Sequence, residues 1–95
     1  MSESSLQAKL IRYLKAKGCY VIKTTPGNGT PVGCPDIFFF CDGFWGAIEA
    51  KASRGAKFQP LQKVTIEKLD KMSWCRVVYP ENYQEIRAEL ELLLR

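Results

Sequence analysis

Two carboxylates and a lysine stand close together around a predicted hairpin. Asp36 follows Pro35 at the start of one apolar run, and Glu49 and Lys51 are two residues apart in the next run. Carboxylate oxygens are ligands that Mg²⁺ and Mn²⁺ prefer, and these ions complete their shell with waters and phosphate oxygens. A lysine beside such an ion can orient a water and offset charge that develops on a phosphate. The residue types therefore predict metal-assisted phosphoryl chemistry.

The composition excludes other chemistries. The chain has 95 residues and no histidine, which removes Ser-His and Cys-His nucleophiles and a histidine general base. With 46% hydrophobic and 25% charged residues, residues 1–95 are expected to fold as one domain. No two cysteines form a CxxC pair, so ordinary buried thiols in a reducing compartment are favoured over a zinc site or a disulfide scaffold. The cysteines are Cys19, Cys34, Cys41 and Cys75.

The charge is unevenly distributed. Residues 81–95 contain four glutamates and two arginines, which is a net charge of −2. Because the whole chain carries +4, residues 1–80 carry +6. A basic body is compatible with a nucleic-acid partner, and equally with the solvated surface of a mildly basic protein. No apolar run approaches the roughly 20 residues of a membrane helix, and the first residues do not resemble a secretory signal. We expect a cytoplasmic protein with no membrane partner.

Periodicity and turn residues predict the elements that position these groups. Asp42-Gly43 is typical of a hairpin turn, a β-α-β crossover favours a parallel neighbour, and the fold class expected is α/β with a mixed sheet flanked by helices. The order is αβββαβα, with a helix over residues 4–17, strands over 19–23, 36–41 and 44–52, a helix whose first turn holds Pro60, a strand over 74–79 and a helix over 81–94.

Three local expectations accompany this order. Ser4 and Gln7 have capping-box spacing at the first helix. The strand over 36–41 is nearly all apolar, as expected for a strand that is covered on both faces. The second helix has an apolar stripe formed by Leu61, Val64 with Thr65, the Lys68 stem, Leu69 and Met72.

Pairing through the hairpin brings the start of one strand beside the end of the next. Asp36 is therefore expected near Glu49 and Lys51, which share a face because side chains alternate along a strand. Two alternatives remain open. Asp36 can instead cap a turn after Pro35, and Glu49 and Lys51 can form a surface ion pair of little value.

The Pro35-Asp36 … Glu49-x-Lys51 pattern resembles the PD-(D/E)XK nuclease signature. Within that superfamily the chain most resembles the stand-alone VRR-NUC domains of phages and bacteria. Three further features carry that resemblance, which covers about residues 3–79: Glu3 in the first helix, Gly33-x-Pro35-Asp36 and Gln62.

The resemblance implies a restriction-endonuclease-like αβββαβ core followed by a C-terminal helix. VRR-NUC domains resemble archaeal Holliday-junction resolvases. The implied activity is that of a metal-dependent, structure-directed endonuclease that acts as a homodimer on branched double-stranded DNA, most of all Holliday junctions, in the host cytoplasm if a phage encodes it. Mg²⁺ or Mn²⁺ is the expected cofactor, and no small-molecule cofactor is expected.

The resemblance also implies the metal ligands. Asp36, Glu49 and the backbone carbonyl of Ala50 would bind the ion. Glu3 would approach it directly or through water, and Gln7 is a competing candidate for that place.

Two further residues receive roles from the resemblance. Lys51 would position the attacking water, and Gln62 would support Lys51 or the scissile phosphate. The alternative for Gln62 is an exposed polar position on its helix.

Basic residues are expected around the site. Lys23, Arg54 and Lys57 would flank it where a phosphate backbone would lie, and the glycines of the 23–34 loop permit close approach of the backbone. Unrelated surface lysines beside a floppy loop are the alternative. No feature encodes base readout, so we expect recognition of DNA shape.

The large apolar side chains are expected in the core or at a dimer interface rather than in a base-stacking platform. Phe38, Phe39, Phe40 and Trp45 belong to this group, and Trp74, Tyr79, Tyr83 and the aromatic end of the hairpin are interface candidates.

Two other functions compete with the nuclease. One is a non-catalytic nucleic-acid-binding module that keeps the nuclease fold, although an intact set of Asp36, Glu49 and Lys51 argues against it. The other is a structural phage or plasmid protein.

Overall fold

The four strands and three helices follow one another along the chain in the predicted order. A computed structural model describes residues 1–27 and 29–95; Asn28, within the predicted glycine-rich loop, lies outside the described residues. The elements are α1 (Glu3–Ala16), β1 (Tyr20–Lys23), β2 (Ile37–Cys41), β3 (Phe44–Ala50), α2 (Gln62–Met72), β4 (Cys75–Val78), a 3₁₀ turn (Pro80–Asn82) and α3 (Tyr83–Leu93).

The strands form a mixed sheet in the order β1-β2-β3-β4. β2 pairs antiparallel with β1 and β3, whereas β3 and β4 are parallel and α2 makes the crossover between them. A two-residue turn joins Cys41 to Phe44, and Gly43 supplies its positive φ of 74°. The predicted fold class, a mixed sheet flanked by helices with a helix at the C-terminus, is confirmed.

The hydrophobic core lies on one face of the sheet, beneath α1 and α3. Alternation along β2 and β3 sends Ile37, Phe39 and Ile48 into this layer. The helices contribute their buried stripes, which are Leu6, Leu10 and Leu14 from α1 and Tyr83, Ile86 and Leu90 from α3. Trp74 and Tyr83 are only 5% and 6% exposed, so the expectation that they face a partner is wrong.

The first helix begins earlier than predicted. Ser2 is its N-cap and accepts a hydrogen bond from the Ser5 N–H at 3.1 Å, so the expected capping box of Ser4 and Gln7 is wrong. The earlier start places Glu3 in the first turn of α1. Gly18, with φ at 87°, follows the C-terminal end of the helix.

The second helix turns a different face toward the sheet. It begins at Gln62, after Pro60, and Gln62, at 8% exposed, is the residue of α2 that is buried. The predicted apolar stripe is wrong in part: three of its members are half exposed or more, namely Leu61 (50%), Val64 (63%) and Met72 (61%), whereas Thr65 and Leu69 are partly buried. The covered positions are spaced i, i+3, i+4 and i+7, namely Gln62, Thr65, Ile66 and Leu69.

The second strand is fully covered on one face and only partly covered on the other. Phe39 is fully buried, whereas Phe40 is 40% exposed on the opposite face, so the expectation of two covered faces is wrong for this chain alone. Phe40 pairs with Tyr20, and Tyr20 and Ile22 on β1 are 70% and 43% exposed. Because α2 packs over β3 and β4, it leaves the β1–β2 half of this face open.

The remaining boundaries differ by one or two residues. The strands are shorter than predicted, and Pro80 opens a 3₁₀ turn, so that α3 begins at Tyr83 and not at residue 81. Leu93 is 41% exposed, whereas Leu94 packs against the core. Within the described ranges, none of the helices combines the length and apolar character that crossing a membrane requires.

Gly46 of β3 offers a test of the packing in this core. A Cβ at Gly46 would lie 2.5 Å from Phe39 Cζ and 3.0 Å from Trp74 Cε3. We expect Gly46→Ala to lower the free energy of unfolding by about 1–3 kcal/mol, as overpacking of a dense core does. Urea denaturation measures the change. Gly55→Ala is the matched control, because nothing lies within 4 Å of its added Cβ, and equal effects of the two substitutions would contradict the packing described.

Candidate active site

The hairpin brings Asp36 to Glu49. The β2–β3 register pairs Ile37 with Ile48, and one residue further Asp36 lies opposite Glu49. Asp36 Oδ2 accepts a hydrogen bond from the Ala50 N–H at 3.0 Å. This contact fixes the carboxylate of Asp36 against the end of β3, as the predicted strand pairing requires.

Thr24 holds the backbone beneath Asp36. Its N–H donates to the Asp36 carbonyl at 2.8 Å, and its hydroxyl donates to the Pro35 carbonyl at 2.8 Å. The long loop therefore returns to the sheet at a fixed place. Sequence reasoning did not select Thr24, although its position directly after a β-rich run was visible.

Three carboxylates converge at this end of the sheet. Glu3, Asp36 and Glu49 each offer an oxygen, and these atoms lie within 4.8 Å of one another. Glu3 reaches the cluster because the Ser2 cap starts α1 early enough to place it in the first turn. Glu3 also lines the cavity over the cluster, whereas the nearly buried Gln7 is not among its described lining residues.

Lys51 and Gln62 form a buried hydrogen-bonded network with Glu49. The Lys51 ammonium donates to Gln62 Oε1 at 3.0 Å and lies 3.3 Å from Glu49 Oε2. Gln62 Nε2 donates to the same Glu49 oxygen at 3.0 Å. Gln62 therefore supports both charged groups, and the alternative of an exposed polar position on α2 is wrong.

The loop before α2 completes the surroundings of Lys51. The Lys57 carbonyl accepts from the ammonium at 3.2 Å, and the Phe58 ring centroid lies 4.9 Å from it. The Gln59 N–H donates to Gln62 Oε1 at 2.9 Å and so fixes the orientation of that amide. Phe58 and Gln59 were missed in the sequence, because neither has a spacing that sets it apart in an irregular loop.

Glu49 is the most constrained ionisable group of the cluster. It is 2% exposed, and its Oε1 has no hydrogen-bond partner among the described residues. Burial, then the charge of Asp36, raises the pKa of Glu49 to about 7, although Lys51 acts in the opposite direction. Proximity to Lys51 and deep burial together argue against a surface ion pair.

The cluster has the properties of a divalent-cation site. Three carboxylates and one ammonium carry a net charge of −2 when they are ionised. All three acids supply hard oxygen ligands. Glu49 Oε1 is in addition a buried acceptor without a donor among the described residues. A cavity of about 360 Å³ opens above them. The loop residues that line it are Thr24, Pro26, Gly27, Thr30, Pro31, Val32, Gly33 and Cys34.

The predicted DNA-contacting residues lie outside this cavity. The side chains of Lys23, Arg54 and Lys57 are exposed, and the Arg54 guanidinium lies 5.2 Å from the Tyr79 ring centroid. Their contact with a phosphate backbone stays a prediction. The same holds for the carbonyl of Ala50, whose N–H is the group that contacts Asp36.

The comparisons with known proteins decide the family. The family model described as archaeal Holliday junction resolvase (Hjc) matches residues 4–91. The chain belongs to this family. Among solved structures, Hjc from Archaeoglobus fulgidus, a Holliday junction resolvase from an archaeal hyperthermophile, matches with a TM-score of 0.55 at 16% identity, covering 80% of this chain and 67% of that one. No curated protein matches the sequence.

Membership of the Hjc family confirms the coarser part of the sequence prediction. The family and the fold support a structure-specific junction nuclease. A PD-(D/E)XK-like resolvase is consistent with both, whereas the narrower VRR-NUC assignment stays a prediction.

The pKa of Glu49 predicts how stability varies with pH in the metal-free protein. The pKa of Glu49 is about 7 in the folded chain and 4.5 when the carboxyl is free in water, so the folded chain holds the extra proton between these pH values. The contribution of Glu49 to stability is therefore largest below pH 4.5 and falls as the pH rises through 7, by on the order of 2–3 kcal/mol. In Glu49→Gln this loss is absent, so its melting temperature should rise relative to wild type between pH 5 and pH 8.

Thermal melts in a chelator at several pH values measure this difference. Glu67→Gln, on the exposed side of α2, is the control for removing a carboxylate. A parallel fall in stability for wild type and Glu49→Gln would show that Glu49 is not the group responsible.

Proposed function

We propose that this protein is a divalent-metal-dependent endonuclease that hydrolyses phosphodiester bonds at branched DNA, most of all Holliday junctions. The observation that carries the proposal is the convergence of Glu3, Asp36 and Glu49 oxygens within 4.8 Å. Lys51 and Gln62 stand beside them, in a chain of the Hjc family.

Asp36, Glu49 and Glu3 would hold Mg²⁺ or Mn²⁺, with the Ala50 carbonyl as a further ligand. When bound, the ion would polarise the phosphoryl group and lower the pKa of a coordinated water. Asp36 is already oriented by the Ala50 N–H, and Glu49 Oε2 by Gln62. The second oxygen of Glu49 is free to act as a ligand without the loss of a protein hydrogen bond.

Lys51 places a positive charge beside the scissile phosphate and orients the attacking water. Three acceptors hold its ammonium, and the contact to Glu49 is the longest, at 3.3 Å. Because Glu49 Oε1 would serve the cation, Lys51 would give up this longest contact, to Oε2, only to donate to the water or the phosphate. Gln62 keeps the ammonium in place meanwhile.

The basic side chains around the site provide affinity for the backbone. Lys23 ends β1, while Arg54 and Lys57 belong to the loop after β3, and the side chains of all three are exposed. Such contacts depend on charge and carry no base information. They support recognition of the shape of branched DNA.

Removal of Asp36 or Lys51 should abolish cleavage and spare binding. We expect Asp36→Ala and Lys51→Ala to reduce the cleavage of a labelled four-way junction by about 10²-fold or more, since each removes a group that acts on the reacting phosphate. Gel assays with Mg²⁺ or Mn²⁺ measure cleavage, and assays without metal measure junction binding. Linear duplex and single strand report the preference for a branched substrate.

Lys68→Ala is the matched control, because Lys68 is exposed on α2 and its loss should leave cleavage intact. Circular dichroism shows whether each variant folds. Cleavage that persists in EDTA or in both site variants would refute the mechanism, and binding without cleavage by the metal-loaded wild type would favour the non-catalytic module.

We also propose that the active form is a homodimer. A four-way junction is symmetric, so a two-fold dimer would place one site on each of two opposed strands. Two copies that each carry a net charge of +4 repel each other, so an uncharged surface suits self-association better than a basic one. The open apolar face of β1 and β2, formed by Tyr20, Ile22 and Phe40, meets this requirement.

The sequence of β2 supports the same surface. Its nearly continuous apolar run is typical of a strand with both faces covered, yet this chain fully covers only one face and leaves Phe40 40% exposed. A second copy on the open face would cover Phe40 and its neighbour Tyr20. Exposed apolar side chains that pair across adjacent strands are typical of such contacts.

Phe40→Glu tests this dimer surface. In a two-fold dimer the substitution would bury one charge from each copy in the interface. We therefore expect the variant to sediment as a 10.8 kDa monomer and the wild type as a dimer at micromolar concentration. Leu92→Glu is the control, because Leu92 is 66% exposed on α3, away from the open face. A dimeric Phe40→Glu, or a monomeric wild type, would contradict the proposed surface.

A further inference from the structure

Two cysteines face each other at the end of the sheet that lies away from the acidic cluster. The β1–β2 register pairs Tyr20 with Phe40, and one residue further it places Cys19 opposite Cys41. Their sulfur atoms are 2.7 Å apart. Cys19 belongs to the hydrophobic core and Cys41 packs against it.

The backbone at this position suits a covalent link. The Thr24 N–H donates to the Asp36 carbonyl, which makes that pair a hydrogen-bonded one. Hydrogen-bonded and non-hydrogen-bonded pairs alternate along antiparallel strands, so Cys19 and Cys41, five positions further, form a non-hydrogen-bonded pair with Cα atoms about 4.5 Å apart. A disulfide needs Cα atoms roughly 4.4–6.8 Å apart.

We propose that Cys19 and Cys41 are a modification site at which a peroxide-type oxidant forms an intramolecular disulfide between β1 and β2. The thiol of Cys41 attacks hydrogen peroxide, breaks its O–O bond and becomes a sulfenic acid, with release of one water. The sulfur of Cys19 then attacks the Cys41 sulfur, and the hydroxyl leaves with the Cys19 proton as a second water. Two thiols lose two electrons, and one peroxide accepts them.

Access determines which thiol reacts first. Cys41 borders an open cavity at the hairpin end, together with Tyr20 and Phe44. Cys19 is 8% exposed, and burial, with the contact to Cys41, raises its pKa to about 12. Cys19 is therefore the resolving thiol, which acts on a partner already beside it. In a reducing compartment both sulfurs remain thiols.

The link would close a loop over residues 19–41, which contains the glycine-rich segment and Asp36. Closing such a loop restricts the unfolded chain and stabilises the fold. Asp36 precedes β2 and Cys41 ends it, so about five residues, on the order of 16 Å of strand, separate the link from the acidic cluster. The site is thus independent of the proposed nuclease activity.

The experiment compares reduced and peroxide-treated protein. Intact mass under denaturing, non-reducing conditions should fall by two hydrogens, peptide mapping should assign the link to Cys19 and Cys41, and dithiothreitol should reverse it. The melting temperature should rise by roughly 10 °C or more in the oxidised form. A double variant, Cys34→Ser with Cys75→Ser, should behave like wild type.

Cys41→Ser and Cys19→Ser should each lose the mass change and the gain in melting temperature. Since Cys41 is partly exposed, Cys41→Ser keeps the test decisive if the Cys19 variant fails to fold. Alkylation of all four thiols after peroxide treatment, or a link that joins two chains, would overturn the proposal.

Discussion

The burial of Glu49 is the constraint on which the site depends. A carboxylate that is 2% exposed is costly unless charges and hydrogen bonds compensate for the lost water. Lys51 and Gln62 compensate at one oxygen, while the other has no described partner. The pKa of Glu49 is raised to about 7, which indicates that these contacts compensate only in part for the loss of water around the carboxylate. Such a group is a cost to stability that a bound cation would remove.

The same constraint explains the unusual face of α2. An ordinary helix on a sheet buries apolar side chains, yet the buried residue of α2 is Gln62. Its amide must reach between Glu49 and Lys51, and this requirement sets the rotation of the helix about its axis. Leu61 and Val64 are turned outward as a result.

The sequence was sufficient where local rules decide the geometry. A two-residue Asp-Gly turn fixes the β2–β3 register, and alternation then places Asp36 beside Glu49 and puts Lys51 on the same face. The order of the elements followed from periodicity for the same reason.

Other features depended on choices that local patterns do not settle. Ser2 and Ser4 are both of a residue type that caps helices, so the local sequence does not decide between them. In the structure Ser2 is the cap, and Glu3 therefore lies in the first turn of α1. The α2 stripe was misassigned because the pattern treats every buried position as apolar, whereas a functional site needs a polar one. The pairing of Cys19 with Cys41 requires the β1–β2 register, and a loop of a dozen residues between those strands leaves that register open.

The two faces of the sheet have different roles in this small protein. One face, with α1 and α3, holds nearly the whole hydrophobic core, while on the other α2 covers β3 and β4 and forms the wall of the acidic site. The β1–β2 half of that second face stays open, with Tyr20, Ile22 and Phe40 exposed. Since burial of apolar area drives association, the proposed dimer would remove from water the apolar side chains that a single copy leaves exposed.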